Sequence, residues 1–282
     1  MEGNCGVKLT IVAIVQARMT SERLPGKVLM NILGKPVLWH VVTRLNGSEL
    51  IEKVVVATTT NETDIPIIRF CDERGIGVYA GSEENVLDRY YKAASHFSAT
   101  VIVRITADCP LIDPKIVDRV IQHYLENKNK FDYVSTNHPT TFPDGLDTEV
   151  FSFEALEKAW KNAKKQYERE HVTPYIWDQP EKFGIGNVEN DQDLSATERW
   201  TLDYEEDLEF VRAIYANLYK EGKIFGMEDV LKLLKKKPEL RDINRKYLGF
   251  NWYALQKHLD ELRTVDRSKY ELDKGKETDK ET

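Results

Sequence analysis

An apolar run near the start of the chain turns abruptly into a polar loop, and this transition constrains the fold more than any other feature. Residues 9–15 form a stretch that is apolar except for Thr10, as is typical of a strand buried on both faces of a sheet. Residues 16–27 then carry two guanidinium groups, one ammonium group and two hydroxyls. Pro25 and Gly26 interrupt any regular structure there. The chain therefore begins with a buried strand that ends in a cationic loop.

A cationic loop in this position is suited to bind phosphate. Ligands of open α/β sheets bind beyond the carboxyl ends of the strands, and guanidinium forks and backbone N–H groups match phosphate oxygens. The alternative is a basic surface loop without a ligand. We favour a phosphate site because Gly26 lies beside Lys27 and both follow the first strand directly.

Two familiar phosphate-binding sequences do not occur in this segment. The pattern GxxxxGK[ST] fails because Val28 follows Lys27, and the start of the chain has no GxGxxG. A standard dinucleotide-binding fold is therefore not expected.

The first half of the chain alternates apolar runs with stretches of helical periodicity. This alternation predicts a helix over 37–45, a strand over 53–58, a helix over 64–74, a strand over 77–80, a helix over 85–94 and a strand over 101–106. Such an order predicts a parallel sheet with right-handed crossovers. Later patterns predict a strand over 132–135, a helix over 153–165, a short strand over 200–202 and a helix over 208–218.

Asp108 comes directly after the apolar strand predicted over 101–106. A carboxylate at the carboxyl end of a central strand is a common way to hold Mg²⁺ beside phosphates. The alternative role for Asp108 is to cap a helix. Asp113 before Pro114 is expected to cap the next helix, which leaves Asp108 without that task. We therefore favour the metal for Asp108.

Asp203 follows a second predicted strand, over 200–202, far from Asp108 in the sequence. If the two strands are parallel neighbours, both carboxylates emerge at the edge of the sheet that carries the Lys27 loop. Two like charges placed close together repel, so they need a cation between them.

Three other polar clusters each leave two interpretations open. Thr58 and the polar residues after it contact a ribose or base, or form a turn with a helix cap. Three carboxylates between residues 144 and 149 bind a metal, sugar hydroxyls or a cation on a partner, although a solvated turn explains the first of them equally well. A basic pair near residue 170 meets a substrate carboxylate, or serves packing and capping. The three carboxylates are Asp144, Asp147 and Glu149. The basic pair is Arg169 and His171.

Composition and charge limit the partners and the setting of the protein. Its 282 residues suffice for one large α/β domain, and a net charge of −7 argues against a nucleic-acid partner. Three cysteines without metal-ligand spacing indicate a reducing cytoplasm. The apolar runs are too short to span a bilayer, and the N-terminus lacks the layout of a signal peptide. We expect a flexible N-terminus over 1–8, one domain over 9–265 and a disordered charged tail over 266–282.

Four ordered segments together resemble the CMP–sugar synthetases, the cytidylyltransferases that activate acidic sugars. QARMTSERLPGKVL is similar to the signature loop of that family, and ITADCPLIDP is similar to a motif whose Asp-x-Pro tripeptide binds the metal. RWTLDYEEDL resembles the final metal-binding motif, with Glu205 where Pro is common. TFPDGLDTEVFSFEAL and the Arg-Glu-His run over 169–171 resemble the branch typified by spore coat polysaccharide biosynthesis protein F. The resemblance covers roughly residues 9–220.

The resemblance implies a fold, a reaction and an assembly. The fold is a three-layer α/β fold of the nucleotide-diphospho-sugar transferase (Rossmann-like) type, with a mostly parallel sheet and a small inserted dimerisation part over about 137–180. The implied reaction is transfer of CMP from CTP to a small acidic acceptor, a sugar acid, with release of pyrophosphate, in surface or spore-coat polysaccharide biosynthesis. The implied assembly is a cytoplasmic homodimer, without nucleic acid or membrane as a partner.

The resemblance and the chemistry of the residues together give the expected site. The expected catalytic residues are Arg18, Lys27, Asp108 and Asp203, and the two acids are expected to hold Mg²⁺. The expected nucleotide-binding residues are Gln16, Ala17, Arg18, Ser21, Arg23, Lys27, Thr58, Ser82, Asp88 and Asp108. The expected acceptor-binding residues are Asp144, Asp147, Glu149, Arg169 and His171.

Two other functions stay open at this point. A glycosyltransferase on a related fold would use a nucleotide sugar as donor, but such enzymes usually carry Asp-x-Asp, and Asp108-Cys109-Pro110 lacks the second Asp. A non-catalytic nucleotide-binding partner of a biosynthetic complex would not need Lys27 together with both acids.

Overall fold

The computed structural model describes residues 8–249 of the chain. The predicted flexible N-terminus, apart from its last residue, and the predicted tail over 266–282 lie outside the described residues. Within 8–249, no helix is both long enough and apolar enough to cross a membrane.

Strands and helices alternate along the chain. The strands are β1 (Ile11–Gln16), β2 (Asn31–Ile32), β3 (Lys35–Pro36), β4 (Lys53–Thr59), β5 (Gly77–Gly81), β6 (Val101–Thr106), β7 (Tyr133–Ser135), β8 (Glu149–Ser152) and β9 (Ile185–Asn187). The α-helices are α1 (Val37–Leu45), α2 (Ile65–Asp72), α3 (Val86–His96), α4 (Pro114–Glu126), α5 (Phe153–Asn162), α6 (Gln166–His171), α7 (Pro174–Trp177), α8 (Glu205–Leu218) and α9 (Met227–Lys236). Short 3₁₀ turns occupy Lys27–Leu29, Glu62–Asp64, Pro238–Asp242 and Arg245–Tyr247.

The central sheet has seven strands in the order β5-β4-β1-β6-β8-β7-β9. The first four run parallel, so the ends of β1, β4 and β6 meet at one edge, where Gln16 lies opposite Ala57 and Thr106. Strand β8 runs antiparallel to both β6 and β7. Its first residue, Glu149, therefore lies at that same edge, opposite Arg104. The mostly parallel sheet is confirmed.

Helices cover both faces of the sheet because side chains along each strand alternate between two apolar cores. Ala13 and Val15 of β1 belong to a core shared with α1, α2, α4, α8 and α9. Val12 and Ile14 belong to a second core shared with α3, α5 and α7. Strand β1 is buried on both sides, as its unbroken apolar run predicts. The three-layer α/β fold is confirmed.

Most predicted elements form within a few residues of their expected bounds, and one does not form. The helix over 37–45 and the strand over 101–106 match their predicted bounds. The short strand over 200–202 is wrong, because this segment is extended but joins the fold by separate hydrogen bonds. The Trp200 amide donates to the Asp144 carbonyl at 2.7 Å, and the Leu202 amide donates to the Asp108 carbonyl at 2.8 Å.

The region over 137–180 is built from pieces that join the main body. Strand β8 is part of the central sheet, and helices α5 and α6 contact α3 on one face of it. Part of the apolar surface of this region is buried within the chain itself. Tyr167 is 3% exposed, and Ile176, next to Trp177, is fully buried. The dimerisation role of the region stays a prediction.

Gly145 gives a test of the link between this region and the segment before α8. Its φ is +102°, and a Cβ atom there would lie 2.5 Å from the Thr201 nitrogen. We expect Gly145→Ala to lower the free energy of unfolding by more than about 4 kcal/mol, because backbone would have to move in addition to adopting a strained φ. Urea denaturation of the full chain measures this loss.

Gly75→Ala is the matched control for Gly145→Ala. Gly75 also has a positive φ, +64°, but an added Cβ would meet nothing within 4 Å. Only the conformational strain applies, so we expect a loss of about 1–2 kcal/mol. Equal losses for the two variants would show that the close approach at Gly145 does not matter.

Candidate functional site

Lys27 lies at the centre of the site, where three separate segments of the chain meet. Its ammonium group donates to Asp108 Oδ2 at 2.6 Å, to Asp203 Oδ1 at 2.8 Å and to the carbonyl of Leu202 at 2.8 Å. These contacts use all three N–H donors of the ammonium. The two predicted acids, Asp108 and Asp203, thus bind the same cation, and the Lys27 ammonium lies between their carboxylates.

The loop after β1 places Lys27 in the sheet edge by turning sharply at Gly26. Gly26 has φ +73°, which a residue without a Cβ adopts without strain, and its amide closes the loop by donating to Met19 O at 2.8 Å. The 3₁₀ turn Lys27–Leu29 begins directly after it. Lys27 is consequently only 7% exposed.

The charges in this centre support one another. Burial lowers the pKa of Lys27, but the carboxylates of Asp108 and Asp203 more than offset that effect, so the net pKa is raised. Burial likewise raises the pKa of Asp203, but Lys27 and Arg23 outweigh it and bring that pKa to about 2. Both groups therefore carry their full charge at neutral pH.

Arg199 forms a second charged hub beside the first, and the sequence reasoning missed it. Its guanidinium donates to Asp144 Oδ2 at 2.9 Å, to Asp203 Oδ2 at 3.4 Å and to both oxygens of Asp207 at 3.0 and 2.9 Å. The side chain is 3% exposed. A signal was available in the sequence: an arginine directly before an apolar segment needs a buried partner, and two aspartates follow it at intervals of four residues.

Asp144 and Asp147 form a carboxylate pair at the rim of these hubs. Burial and the neighbouring charge of Asp147 raise the pKa of Asp144 to about 7, although Arg199 opposes the rise. Burial also raises the pKa of Asp147, whose carboxylate accepts a hydrogen bond from the Gly145 amide at 3.1 Å and lies near Glu149 and Asp108. This side of the site therefore has an excess of negative charge.

The predicted phosphate loop is held by two acids that the sequence reasoning also missed. Glu83 accepts from Thr20 Oγ1 at 2.7 Å, from Arg18 Nη1 at 3.4 Å and from the side-chain amide of Asn61. Asp64 accepts from the Met19 amide at 2.7 Å and also binds the end of β4. The loop is thereby attached to the carboxyl edge of the sheet.

The remaining polar residues of the loop have partners within or close to it. Ser21 Oγ accepts from the Leu24 amide at 3.4 Å, and the Ala17 amide donates to Ala57 O at 3.1 Å. Arg23 contacts Asp203 Oδ1 at 2.5 Å and lies over the ring of Tyr204. Arg23 is thus directed to the acids in this structure.

Gln16 and Glu149 belong to one buried network at the edge of the sheet. Arg104 forms an ion pair with Glu149 and donates to Gln16 Oε1 at 3.2 Å. Glu149 also accepts from Tyr133 and Thr173, each at 2.6 Å. Burial raises the pKa of Glu149, but these partners outweigh it and lower the net pKa. The contacts of Glu149 are those of a structural acid.

Several other predicted residues have contacts that explain them structurally. Thr58 donates to Asp64 at 3.1 Å, and Ser82 accepts from the Asn85 amide at 3.0 Å. Arg169 donates to the Ala163 carbonyl at 3.3 Å, and His171 ends α6. Their predicted contacts with nucleotide or acceptor stay predictions.

Asp88 also has a structural task in this structure. It accepts from Trp160 Nε1 at 2.9 Å and pairs with Lys92 at 2.8 Å, so its side chain joins α3 to α5. These contacts differ in kind from those of Asp108, which join three segments at the sheet edge. Its predicted contact with the base stays a prediction.

The charge balance of the centre fits a divalent cation. The carboxylates are Asp108, Asp144, Asp147, Asp203 and Asp207, and the cations are Lys27, Arg23 and Arg199. If every group is ionised, two negative charges remain. Among residues 8–249 no three acid, imidazole or thiol groups converge as a metal site made of protein alone requires. Mg²⁺ commonly binds one or two carboxylates and takes its other ligands from phosphates and water, so Asp108 and Asp203 fit this ion.

Comparison with known proteins gives consistent matches along most of the chain. A family model described as cytidylyltransferase matches residues 12–265. An uncharacterized protein of Methanocaldococcus jannaschii is 39% identical over 239 residues, which cover 84% of this chain and 95% of that protein. Spore coat polysaccharide biosynthesis protein SpsF of Bacillus subtilis is 32% identical over 235 residues, which cover 81% and 95%. The structure of a cytidylyltransferase from Leptospira borgpetersenii superposes with a TM-score of 0.78 at 33% identity, covering 83% of this chain and 97% of that one.

Replacing Asp144 by Asn should change how stability depends on pH. In the folded protein its pKa of about 7 lies above the ordinary value of 3.8, so the folded state binds the proton more tightly than the unfolded state. The free energy of unfolding of the wild type should therefore fall as pH rises between those two values. Asp144→Asn lacks the part of this decline that Asp144 contributes, so its curve should be flatter than that of the wild type. Thermal denaturation of both proteins across this range measures the difference, and parallel curves would contradict the raised pKa.

Proposed function

This chain belongs to the cytidylyltransferase family, and on that basis we propose that it transfers CMP from CTP to a hydroxyl group of an acidic sugar and releases pyrophosphate. The acceptor is the part of the proposal that depends on the resemblance to CMP–sugar synthetases. A role in surface polysaccharide biosynthesis is supported by the similarity to the spore coat polysaccharide biosynthesis protein.

One observation carries the proposal: the Lys27 ammonium holds Asp108 and Asp203 together at the carboxyl edge of the sheet, at the end of a cationic loop. A nucleoside triphosphate placed against bare carboxylates would be repelled. Because Lys27 neutralises part of their charge, the acids can lie near phosphates at a smaller electrostatic cost. An ionised carboxylate has about four lone-pair sites, so both acids can accept a metal ion in addition to these cations.

Arg18 is suited to meet the triphosphate. Its side chain is 44% exposed, and its contact with Glu83 is long, at 3.4 Å. An exposed ion pair of this kind contributes only about 0–1 kcal/mol. A phosphate oxygen offers a stronger, bidentate partner, so the guanidinium can exchange Glu83 for the nucleotide. Ser21 and the loop backbone are proposed to complete the phosphate contacts.

Asp108 and Asp203 are proposed to hold Mg²⁺. When bound, this ion supplies charge neutralisation at the reacting phosphates. The sugar hydroxyl attacks the α-phosphorus, a new O–P bond forms, the bond to pyrophosphate breaks, and the hydroxyl proton passes to water. Lys27 and Arg23 stay beside the acids and limit the negative charge that accumulates around the phosphates.

The acceptor is proposed to bind beside the acids, over the edge formed by β6, β8 and β7. Asp144 and Asp147 lie there, and carboxylates accept hydrogen bonds from sugar hydroxyls. Arg169 and His171 of the adjacent α6 are proposed to meet the carboxylate of the sugar. The region over 137–180 is also proposed to form a homodimer contact.

A glycosyltransferase is the second candidate from the sequence, but no structural observation favours it. Pro110 stands where an Asp-x-Asp motif would place its second carboxylate, and a proline side chain has no atom that can bind a metal. The match to the cytidylyltransferase model extends over most of the chain.

CTP should be the preferred nucleotide. We expect pyrophosphate release from CTP in the presence of Mg²⁺ and an acidic sugar, and much slower release from UTP, ATP and GTP. A coupled pyrophosphate assay, run with each nucleotide against a panel of acidic sugars, measures this. Equal rates with all four nucleotides would contradict a cytidylyltransferase.

Asp108→Asn should lower turnover without unfolding the protein. We expect a loss of about a hundredfold or more in kcat, because the amide carries no charge and is a poor ligand for Mg²⁺. The melting temperature should move by only about 2 °C, because Lys27 keeps Asp203 and the Leu202 carbonyl as partners.

Asp118→Asn is the control for Asp108→Asn. Asp118 lies on α4 and accepts hydrogen bonds from the Glu49 and Leu50 amides, at 2.9 and 3.3 Å, in the segment before β4. This variant should retain turnover and lose some stability. Melting temperature and pyrophosphate release are measured on the same samples, and an equal loss of turnover in both variants would refute the assignment of Asp108.

A further inference from the structure

Arg199 and Asp207 form a buried pair whose contacts reach two acids of the site. Arg199 binds Asp207 through two N–H groups at 3.0 and 2.9 Å, and Asp207 is fully buried. The same guanidinium reaches Asp144 at 2.9 Å and Asp203 at 3.4 Å. One side chain thus sets the spacing between Asp144, on the loop before β8, and Asp203, before α8.

Asp207 also holds the backbone of Asp203. Its Oδ2 atom accepts from the amides of Asp203 and Tyr204, at 3.0 and 3.1 Å. Its Oδ1 atom accepts from Asn244 at 2.9 Å. Asp203 is therefore fixed twice: its main chain by Asp207 and its carboxylate by Arg199 and Lys27.

Stability alone does not account for this arrangement. Removing two charges from water costs free energy, and a buried ion pair often contributes no more than well-packed apolar side chains of similar volume. Arg199 and Asp207 give the Asp203 carboxylate a fixed direction, which apolar side chains would not do. These contacts restrain both the main chain and the side chain of Asp203, so its carboxylate stays beside Lys27 and Asp108.

We propose that Arg199 and Asp207 are positioning residues for CMP transfer, which keep the Asp203 carboxylate aimed at Asp108 and hold Asp144 beside it. This inference rests on the proposed function. Neither residue needs to touch the nucleotide; each acts through the acids that it binds.

The planar fork of a guanidinium is required for this role. Arg199 contacts three carboxylates from different directions, and two of its N–H groups lie parallel to one carboxylate. An ammonium is a point charge on a flexible chain and cannot reproduce that geometry. Arg199→Lys therefore keeps the charge and removes the directional contacts.

Steady-state kinetics of Arg199→Lys, with CTP, Mg²⁺ and the sugar that supports wild-type turnover, test the proposal. We expect kcat to fall about tenfold to a hundredfold. The KM for CTP should change less than about threefold, because the loop with Arg18 is untouched. A variant that merely lost stability would keep its kcat per folded molecule.

Arg44→Lys is the matched control. Arg44 is 3% exposed and Arg199 is 4% exposed, but the Arg44 guanidinium donates to backbone carbonyls, those of Ile112 and Phe225 at 2.6 Å and of Leu111 at 3.4 Å. It should lose stability as Arg199→Lys does and retain kcat. Equal kcat in both lysine variants and in the wild type would overturn the inference.

Asp207→Asn provides a second variant if Arg199→Lys does not fold. It preserves shape and removes the charge that Arg199 binds. We expect a similar fall in kcat, together with faster hydrogen exchange at the Asp203 and Tyr204 amides, which does not depend on turnover. Unchanged kcat and unchanged exchange would overturn the inference. A wild-type chain that releases no pyrophosphate from any nucleotide would instead refute the proposed function, and the inference with it.

Discussion

The ammonium of Lys27 between two aspartates is the interaction on which the rest of the site depends. It joins the loop after β1, the end of β6 and the segment before α8, and all three carry polar groups that could not be buried separately. Two carboxylates bound to one ammonium lie close together, and they repel each other strongly because the protein screens charge less well than water does. The cation makes their approach possible, and the approach creates the chemistry that we assign to the site.

The parts that the sequence could predict are those with a strong local signal. The unbroken apolar run of β1 and the periodic pattern of α1 need no long-range information, and both form as expected. The polar loop and Asp108 were also recognisable, because each directly follows a buried strand. The segment over 200–202 has the composition of a strand, but it pairs with single carbonyls instead of a neighbouring strand, which no local pattern specifies.

The parts that the sequence could not predict depend on contacts between distant residues. Thr58 had two equally good interpretations until Asp64 was seen to accept its hydroxyl. Glu149 looked like one of three free carboxylates, yet its position opposite Arg104 follows from the reversed direction of β8. Arg199 had a local signal in the two aspartates that follow it, but its contact with Asp144 joins residues 55 positions apart and has no local pattern. Whether a polar residue binds a ligand or stabilises the fold is decided by such partners.

The separation of these contacts along the chain has a consequence for biosynthesis. Lys27 precedes Asp203 by 176 residues, and Asn244, which clamps Asp207, comes 37 residues later than its partner. While the segment over 199–244 is still being synthesised, Lys27 and Asp108 lack the groups that complete their surroundings. The early strands can pair in that time, but the acidic centre cannot close. The centre can therefore form only after the segment that carries Asp203, Asp207 and Asn244 has been made and has folded back onto the edge of the sheet.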